Sequence, residues 1–168
     1  ALVLSTSDLG LRPGEGCALN LERDVDWRTG EVRVGPSRQT VRGEVVEFPA
    51  KTEKSDRTLA YSRHALKRLR QLRKSLPGGD LLQGLKPDQA WRRVKAHCLR
   101  AGLPWAGARN LRHSWATLAV EAGVGVETVA MMLGHTDIGT AYEHYIRPRL
   151  SICRGAQEAV ERMMLAAS

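Results

Sequence analysis

The chain has 168 residues, enough for one domain with a hydrophobic core and too few for two domains of ordinary size. Its hydrophobic fraction of 42% and charged fraction of 26% are close to those of folded domains, so a disordered chain or a coiled coil is not the expected class. Lys and Arg number 26 against 18 Asp and Glu, and the resulting net charge of +8 favours a polyanionic partner.

The cysteine pattern and the distribution of apolar residues narrow the class further. Cys17, Cys98 and Cys153 lie far apart, without metal-ligand spacing, and an odd number cannot all form disulfides. No stretch approaches the roughly 18 apolar residues that span a bilayer, and no signal-peptide pattern is present. These features favour a cytoplasmic protein. Because the chain begins at Ala1 within an apolar run, we expect it to be a piece of a longer protein.

The first part of the chain predicts short helices and a small sheet. The apolar start, Ala1 to Leu4, is typical of the end of a helix, which the polar stretch 5–10 should break. A short helix is expected from Glu15 to Leu21. Alternating apolar residues then predict three strands of one antiparallel sheet, at 31–34, 41–48 and 57–61. The polar loop 51–56 joins the last two strands.

After Ser62 the apolar period changes from two residues to about 3.6, which predicts helices. The expected helical segments are 62–76, a helix from 86 that includes Leu99, 110–122, 126–133, 138–146 and 152–165. The sequence therefore predicts an α+β fold that is mostly helical, with a small three-stranded antiparallel sheet near the N-terminal half.

Cleavage of a phosphodiester without a metal requires positively charged groups beside the phosphoryl oxygens, a nucleophile, and a proton donor for the leaving oxygen. The sequence has no dense cluster of acidic residues or histidines of the kind that holds two metal ions. The remaining candidate groups are therefore arginine, lysine, histidine and tyrosine.

Several segments resemble, in order, the boxes of the tyrosine recombinase (phage integrase) family. They are Leu9 to Glu15, Pro49 to Thr52 with Arg57 to Leu59, Arg109 to Thr117, Leu133-Gly134-His135, and Tyr145. That family carries His-x-Leu-Arg-His-Thr-x-Ala-Thr, then Leu-Gly-His, then a tyrosine nine or ten positions later. The resemblance implies that residues 1–168 form a single catalytic domain of this family, with the N-terminal DNA-binding domain of the parent protein outside this sequence.

The resemblance also implies a role for each matching residue. Arg12 and Arg112 would bind the two non-bridging oxygens of the scissile phosphate. Lys51 would donate a proton to the leaving 5′ oxygen. Tyr145 would attack the phosphorus and form a 3′-phosphotyrosyl link, and His135 would bind the phosphate or help to activate the phenol. No metal or other cofactor is implied.

Supporting roles fall to residues beside these. Glu15 would orient Arg12 or a neighbouring histidine, and His144 would support the nucleophile. His113 is expected to support its helix rather than to react.

The chain departs from the family pattern at two places. Arg109 stands where the family usually has histidine, and arginine binds phosphate but is a poor base at neutral pH. The tyrosine spacing is the second departure, because Tyr142 lies seven and Tyr145 ten positions after His135. We interpret Tyr145 as the nucleophile and Tyr142 as a packing residue.

Three alternatives remain open. The segment 118–130 is typical of a helix-turn-helix, which would suit a DNA-binding module. Arg109 is compatible with a recombinase-like domain that has lost catalytic activity. A type IB topoisomerase would use similar arginine, lysine and tyrosine chemistry.

The expected partner is double-stranded DNA, bound with the strong salt dependence of a basic surface. By resemblance, the C-terminal tail helix at 146–168 would dock onto a neighbouring protomer in a tetramer; the alternative is that it packs on its own core. The resemblance also implies a bacterial or phage-encoded protein that acts in the cytoplasm. Neither the DNA target sequence nor the direction of recombination follows from the sequence.

Overall fold

Helices make up most of this computed structural model, which describes residues 1–52, 55–105, 107–135, 139 and 150–166. The described helices are α1 (Leu2–Leu9), α2 (Pro13–Ala18), α3 (Arg63–Arg73), α4 (Pro87–Arg100), α5 (Ala108–Glu121), α6 (Val126–Leu133) and α7 (Leu150–Ala166). The strands are β1 (Glu31–Val34), β2 (Ser37–Val41), β3 (Glu44–Phe48) and β4 (Arg57–Ala60), and a 3₁₀ turn spans Pro77–Gly79.

The first helix extends through the polar stretch that was expected to break it. Thr6 Oγ1 donates a hydrogen bond to the carbonyl of Leu2 at 2.8 Å, and Ser7 Oγ donates to that of Leu4 at 3.1 Å. These side chains satisfy their polar groups on the helix itself, so the stretch does not compete with helical structure. Helix α1 ends only at Gly10, whose left-handed conformation reverses the chain.

The predicted single three-stranded sheet is wrong, because the strands form two separate antiparallel pairs. Strand β1 pairs with β4, so that Val32 lies opposite Leu59, and β2 pairs with β3. Pro36, between β1 and β2, lacks the N–H that would continue a ladder.

The predicted strand 41–48 contains the turn of the β2–β3 hairpin. Arg42 and Gly43 both have positive φ, 49° and 85°, as a two-residue hairpin turn requires. The sequence interpretation missed this turn, and with it strand β2.

The helices after β4 agree with the periodicity, apart from shifts of a few residues at their ends. Helix α2 begins two residues earlier than predicted, because Pro13 occupies its first turn, and it ends three residues earlier, because Leu19 is already extended. The predicted helix 138–146 lies outside the described residues, apart from Gly139. The α+β class expected from the sequence is confirmed.

The close approach of α1 to α5 and α6 depends on Gly10. A Cβ at Gly10 would lie 2.8 Å from both the Leu133 Cδ2 atom and the Trp115 ring, and the residue has a φ of +63°. Since no larger residue fits there, the end of α1 lies directly against the end of α6. This contact brings together two segments that the sequence analysis singled out, Leu9 to Glu15 and Leu133-Gly134-His135.

Candidate active site

Arg12 links helix α2 to the end of α6. It is the residue that precedes α2, and its backbone N–H donates to the Glu15 carboxylate at 2.8 Å. Its guanidinium donates from Nη1 to Glu15 Oε1 at 2.7 Å and from Nη2 to the Gly134 carbonyl at 2.9 Å. The side chain is still 41% exposed, so Arg12 is held at one edge while it faces solvent.

Glu15 is the central anion of this region, with a side chain only 4% exposed. Besides Arg12, it accepts hydrogen bonds from Arg57 Nη1 at 3.2 Å and Nη2 at 3.1 Å, and Arg112 Nη1 lies 4.0 Å from its Oε2 atom. Burial opposes ionisation of the carboxyl group, but the hydrogen bonds and charge of Arg57, and then Arg12, outweigh it. The pKa of Glu15 is therefore held below its usual value.

Arg112, on α5, is buried and joins the ends of α1 and α6. Its Nη1 atom donates to the Gly10 carbonyl at 3.0 Å, and its Nη2 atom donates to the Leu133 carbonyl at 2.8 Å. Both acceptors are backbone carbonyls at the ends of helices, where a positive charge is favoured. The guanidinium is thus fixed in place by the backbone of two elements.

Three successive carbonyls at the end of α6 accept hydrogen bonds from three different arginines. Besides Leu133 and Gly134, the carbonyl of Met132 accepts from Arg57 Nε at 2.7 Å. Gly134 ends the helix with φ 66°, and the N–H of His135 donates to the carbonyl of Ala130 at 3.0 Å. This termination explains the Leu-Gly-His sequence, because the glycine reverses the chain and directs His135 away from the helix.

A cleft of about 660 Å³ lies over this helix end. The basic groups that line it are Arg12, Arg38, Arg109, Arg112, His113 and His135. Its other wall comes from β2 and the start of α4. The structure therefore brings four of the predicted site residues to one surface, namely Arg12, Arg109, Arg112 and His135.

Lys51 lines an adjoining cleft rather than this one. Arg12 borders both clefts, and the second is also lined by Glu15, Ser55 and Gly134. Lys51 is exposed at its rim. The predicted general acid is thus separated from Arg109 and Arg112, and Arg12 lies between them.

Arg109 is exposed at the first turn of α5 and forms no hydrogen bond or ion pair with the rest of the described chain. His113, one turn further along α5, is also exposed and faces the cleft, although the sequence analysis assigned it to helix support. The predicted nucleophile Tyr145, the alternative Tyr142 and the supporting His144 lie outside the described residues.

Arg57 is the site residue that sequence reasoning missed. It was noted only as part of a segment that resembles the family hairpin, yet its side chain is 8% exposed and contacts Glu15 and the end of α6. The one available signal was its position directly after a polar loop, as the first residue of β4.

None of the described helices is long and apolar enough to cross a membrane.

Comparison with known families supports the resemblance seen in the sequence. The model of the phage integrase family matches residues 1–150, most of the chain. The chain belongs to the phage integrase family. Tyrosine recombinase XerA of Saccharolobus solfataricus is 30% identical over 141 residues, which covers 83% of this chain and 43% of the relative. Tyrosine recombinase XerD of Shewanella oneidensis is 32% identical over 148 residues, with 84% and 47% covered.

Solved structures of integrases share the fold. The Tn1549 transposon integrase, in complex with a circular intermediate DNA, superposes with a TM-score of 0.74 at 18% identity and covers 94% of this chain and 57% of that one. The crystal structure of XerA recombinase gives a TM-score of 0.64 at 19% identity, with 94% and 54% covered. This member of the phage integrase family spans about half the length of the curated relatives that it matches.

Proposed function

We propose that this chain is the catalytic domain of a site-specific DNA recombinase, which cleaves and rejoins strands through a 3′-phosphotyrosyl intermediate. The observation that carries the proposal is the cleft at the end of α6, where Arg12, Arg109, Arg112 and His135 face one space. A phosphodiester needs such converging donors, because negative charge builds up on its non-bridging oxygens as the phosphorus becomes pentacoordinate.

The arginines are suited to this task because they are fixed before the substrate arrives. Arg112 is anchored on the carbonyls of Gly10 and Leu133, and Arg12 on Glu15 and Gly134. Donors that are already oriented need no reorganisation when charge develops in the transition state. This feature favours catalysis over simple attraction of the DNA backbone.

The proposed reaction is a transesterification. The Tyr145 hydroxyl attacks the phosphorus, the bond from phosphorus to the 5′ oxygen breaks, and the 3′ phosphate remains on the tyrosine. Lys51 donates a proton to the 5′ oxygen, while His135 accepts the phenolic proton. Religation is the reverse reaction with a different 5′ hydroxyl, so no cofactor is consumed.

The test is formation of a covalent adduct on nicked duplexes. The chain is incubated with a pool of duplexes of randomised sequence that carry a nick, from which the short cleaved strand diffuses away. We expect a protein–DNA adduct on a denaturing gel that disappears in Tyr145→Phe and persists in Tyr142→Phe. An adduct lost only in Tyr142→Phe would refute the assignment of the nucleophile. Sequencing the captured DNA gives the preferred site.

A second candidate is a recombinase-like domain that binds DNA without cleaving it. Arg109 favours this candidate, because an arginine at this position cannot accept a proton at neutral pH. The same experiment separates the two, since the second candidate gives salt-sensitive binding of duplex DNA and no adduct with the unaltered chain.

Self-association is proposed to involve the C-terminal segment 146–168. Its helix α7 exposes Val160 and Met163, which are 51% and 75% accessible. Helix faces of this kind bury apolar area when they dock on a neighbouring subunit. We expect Met163→Lys to lower the molecular mass measured by light scattering on the DNA-bound protein. An unchanged mass would contradict the proposal.

A further inference from the structure

Arg57 contacts three separate parts of the candidate active site through one guanidinium. Its Nε atom donates a hydrogen bond to the Met132 carbonyl at 2.7 Å. Its Nη1 and Nη2 atoms donate to the Glu15 carboxylate, at 3.2 Å to Oε1 and at 3.1 Å to Oε2. Nη1 also donates to the Ser55 carbonyl at 3.2 Å. The three partners belong to α6, α2 and the loop that follows Lys51. The Arg57 side chain is only 8% exposed, so these contacts are largely shielded from water.

The loop contact fixes the backbone next to Lys51. The Ser55 N–H donates to the Thr52 carbonyl at 2.9 Å, and the hydroxyls of Thr52 and Ser55 are 3.0 Å apart. The base of the loop is therefore closed between these two residues, and Arg57 holds it through the Ser55 carbonyl. Lys51 is the residue directly before this closed base.

The same guanidinium also holds the carboxylate that orients Arg12, because Nη1, which binds the Ser55 carbonyl, and Nη2 both donate to Glu15. A displacement of Arg57 would therefore change the position of the Lys51 backbone relative to Arg12, which borders both clefts. Lysine at this position keeps the charge, but its single ammonium group lacks the planar fork that reaches a carboxylate and two carbonyls together.

We propose that Arg57 is a positioning residue for leaving-group protonation: it holds the Lys51 loop in register with Arg12, so that the lysine reaches the 5′ oxygen of the scissile phosphate. This inference rests on the proposed function and adds to it a residue that does not itself contact the DNA. It predicts a defect in proton donation that is much larger than any loss of charge stabilisation, because Glu15 keeps its own contacts to the Arg12 backbone and guanidinium.

Replacement of the 5′ bridging oxygen by sulfur tests this selectivity. A thiol has a pKa of about 8.5, against about 15.7 for water, so a thiolate leaves without a proton donor. We compare single-turnover cleavage of the oxygen and sulfur forms of the captured duplex. We expect Arg57→Lys to lower the rate on oxygen by about 10- to 100-fold, a partial loss of the roughly 100- to 10,000-fold that general acid catalysis contributes. The rate on sulfur should fall by less than about 3-fold.

Three controls fix the interpretation. Lys51→Ala should show the same pattern as Arg57→Lys, and Arg12→Lys should slow both substrates alike, because it affects the phosphate itself. Arg33→Lys is the matched control, because Arg33 contacts the same loop through the exposed Asp56 carboxylate: its Nε and Nη2 atoms donate to Oδ1 and Oδ2 at 3.1 and 2.8 Å. This variant should lower the cleavage rate on neither duplex. The ratio of the two rates in one preparation does not depend on how much of the protein is active.

The inference would be overturned if Arg57→Lys lowered the cleavage rate equally on the oxygen and sulfur duplexes. It would also be overturned if the sulfur duplex did not restore cleavage by Lys51→Ala.

If Arg57→Lys does not fold, as judged by circular dichroism, Ser55→Ala takes its place. This change removes the hydroxyl contact between the half-buried residues Thr52 and Ser55, and we expect a loss of about 3- to 10-fold on oxygen alone. An equal loss on both substrates would again count against the inference. Failure of the proposed function is a different result, because the unaltered chain would then form no adduct with either duplex.

Discussion

Two arginine–carboxylate pairs, formed by the neighbouring residues Asp56 and Arg57 where the loop 51–56 meets β4, differ in depth much more than in geometry. The exposed pair Arg33–Asp56 is closer, at 2.8 Å, than the covered pair Arg57–Glu15, at 3.1 Å. Arg33 is 72% exposed, whereas Arg57 is 8% exposed. Water and salt screen the outer pair, while the inner one depends on protein groups for its solvation. Burial, and not distance, therefore decides which pair the fold depends on.

The largest effect is expected from removal of the inner carboxylate. Glu15→Gln keeps the shape of the side chain but leaves Arg57 and Arg112 covered without their counter-charge. Loss of one partner from a buried ion pair costs about 3–5 kcal/mol, and we expect a fall in the free energy of unfolding of this size. Urea unfolding followed by circular dichroism measures it. A loss below about 1 kcal/mol, the upper end of the usual range for exposed pairs, would remove the distinction between the two regions.

The next largest effect is a loss of folding stability at acid pH, which we expect from protonation of Glu15. Because its pKa is lowered on folding, the carboxylate contributes stability above the unfolded value of 4.5, and this contribution is lost as pH falls through the lower folded value. The free energy of unfolding of the native chain should therefore fall more steeply below about pH 4.5 than that of Glu15→Gln. Parallel pH profiles for the two proteins would show that Glu15 does not have the lowered pKa.

A smaller effect is expected at an intermediate depth, on the β2–β3 hairpin. Arg38 is 22% exposed and contacts Glu47 at 3.0 Å and Asp80 at 3.1 Å. We expect Arg38→Met, which retains much of the apolar stem, to lower the free energy of unfolding by about 1 kcal/mol. Urea titration at low and high salt measures this value. A loss as large as that of Glu15→Gln would show that depth does not rank these pairs.

The smallest effect is expected for Arg33→Met, which removes only the outer pair. Since both partners are open to solvent, the unfolding midpoint should stay within measurement error at moderate salt. Thermal unfolding followed by circular dichroism checks this. A clear downward shift in midpoint would mean that the outer pair also contributes to the stability of the fold.

The difference between buried and exposed residues also explains which elements of the fold the sequence could predict. Apolar periodicity located α3 to α6, because the core-facing residues of these helices, such as Leu69 and Val129, are the ones that are buried. It failed on β2, since Ser37 to Val41 is half exposed and has no apolar alternation, and on α1, where Thr6 and Ser7 bond back onto their own helix. Those outcomes depend on local hydrogen bonds rather than on hydrophobic pattern.

For the site, matching boxes led to Arg12, Arg109, Arg112 and His135, which line one cleft. The box that begins at Arg57 gave this residue no role, because its contacts are with partners distant in sequence: Glu15 is 42 residues away and Met132 is 75 residues away. A sequence pattern records neighbours along the chain. The function of this arginine depends on neighbours in space, so only the structure could identify it.

The way in which the end of α6 is held has a consequence for biosynthesis. The bonds from Arg112 to Gly10 and from Arg12 to Gly134 join residues 102 and 122 positions apart. Contacts so distant along the chain form late in folding, since long loops must close first. A ribosome-bound chain that has not yet released α6 lacks the carbonyls that orient its arginines. The cleft that we propose binds phosphate therefore takes shape only after α6 has emerged, and chains that end before α6 lack the carbonyls that orient Arg12 and Arg112.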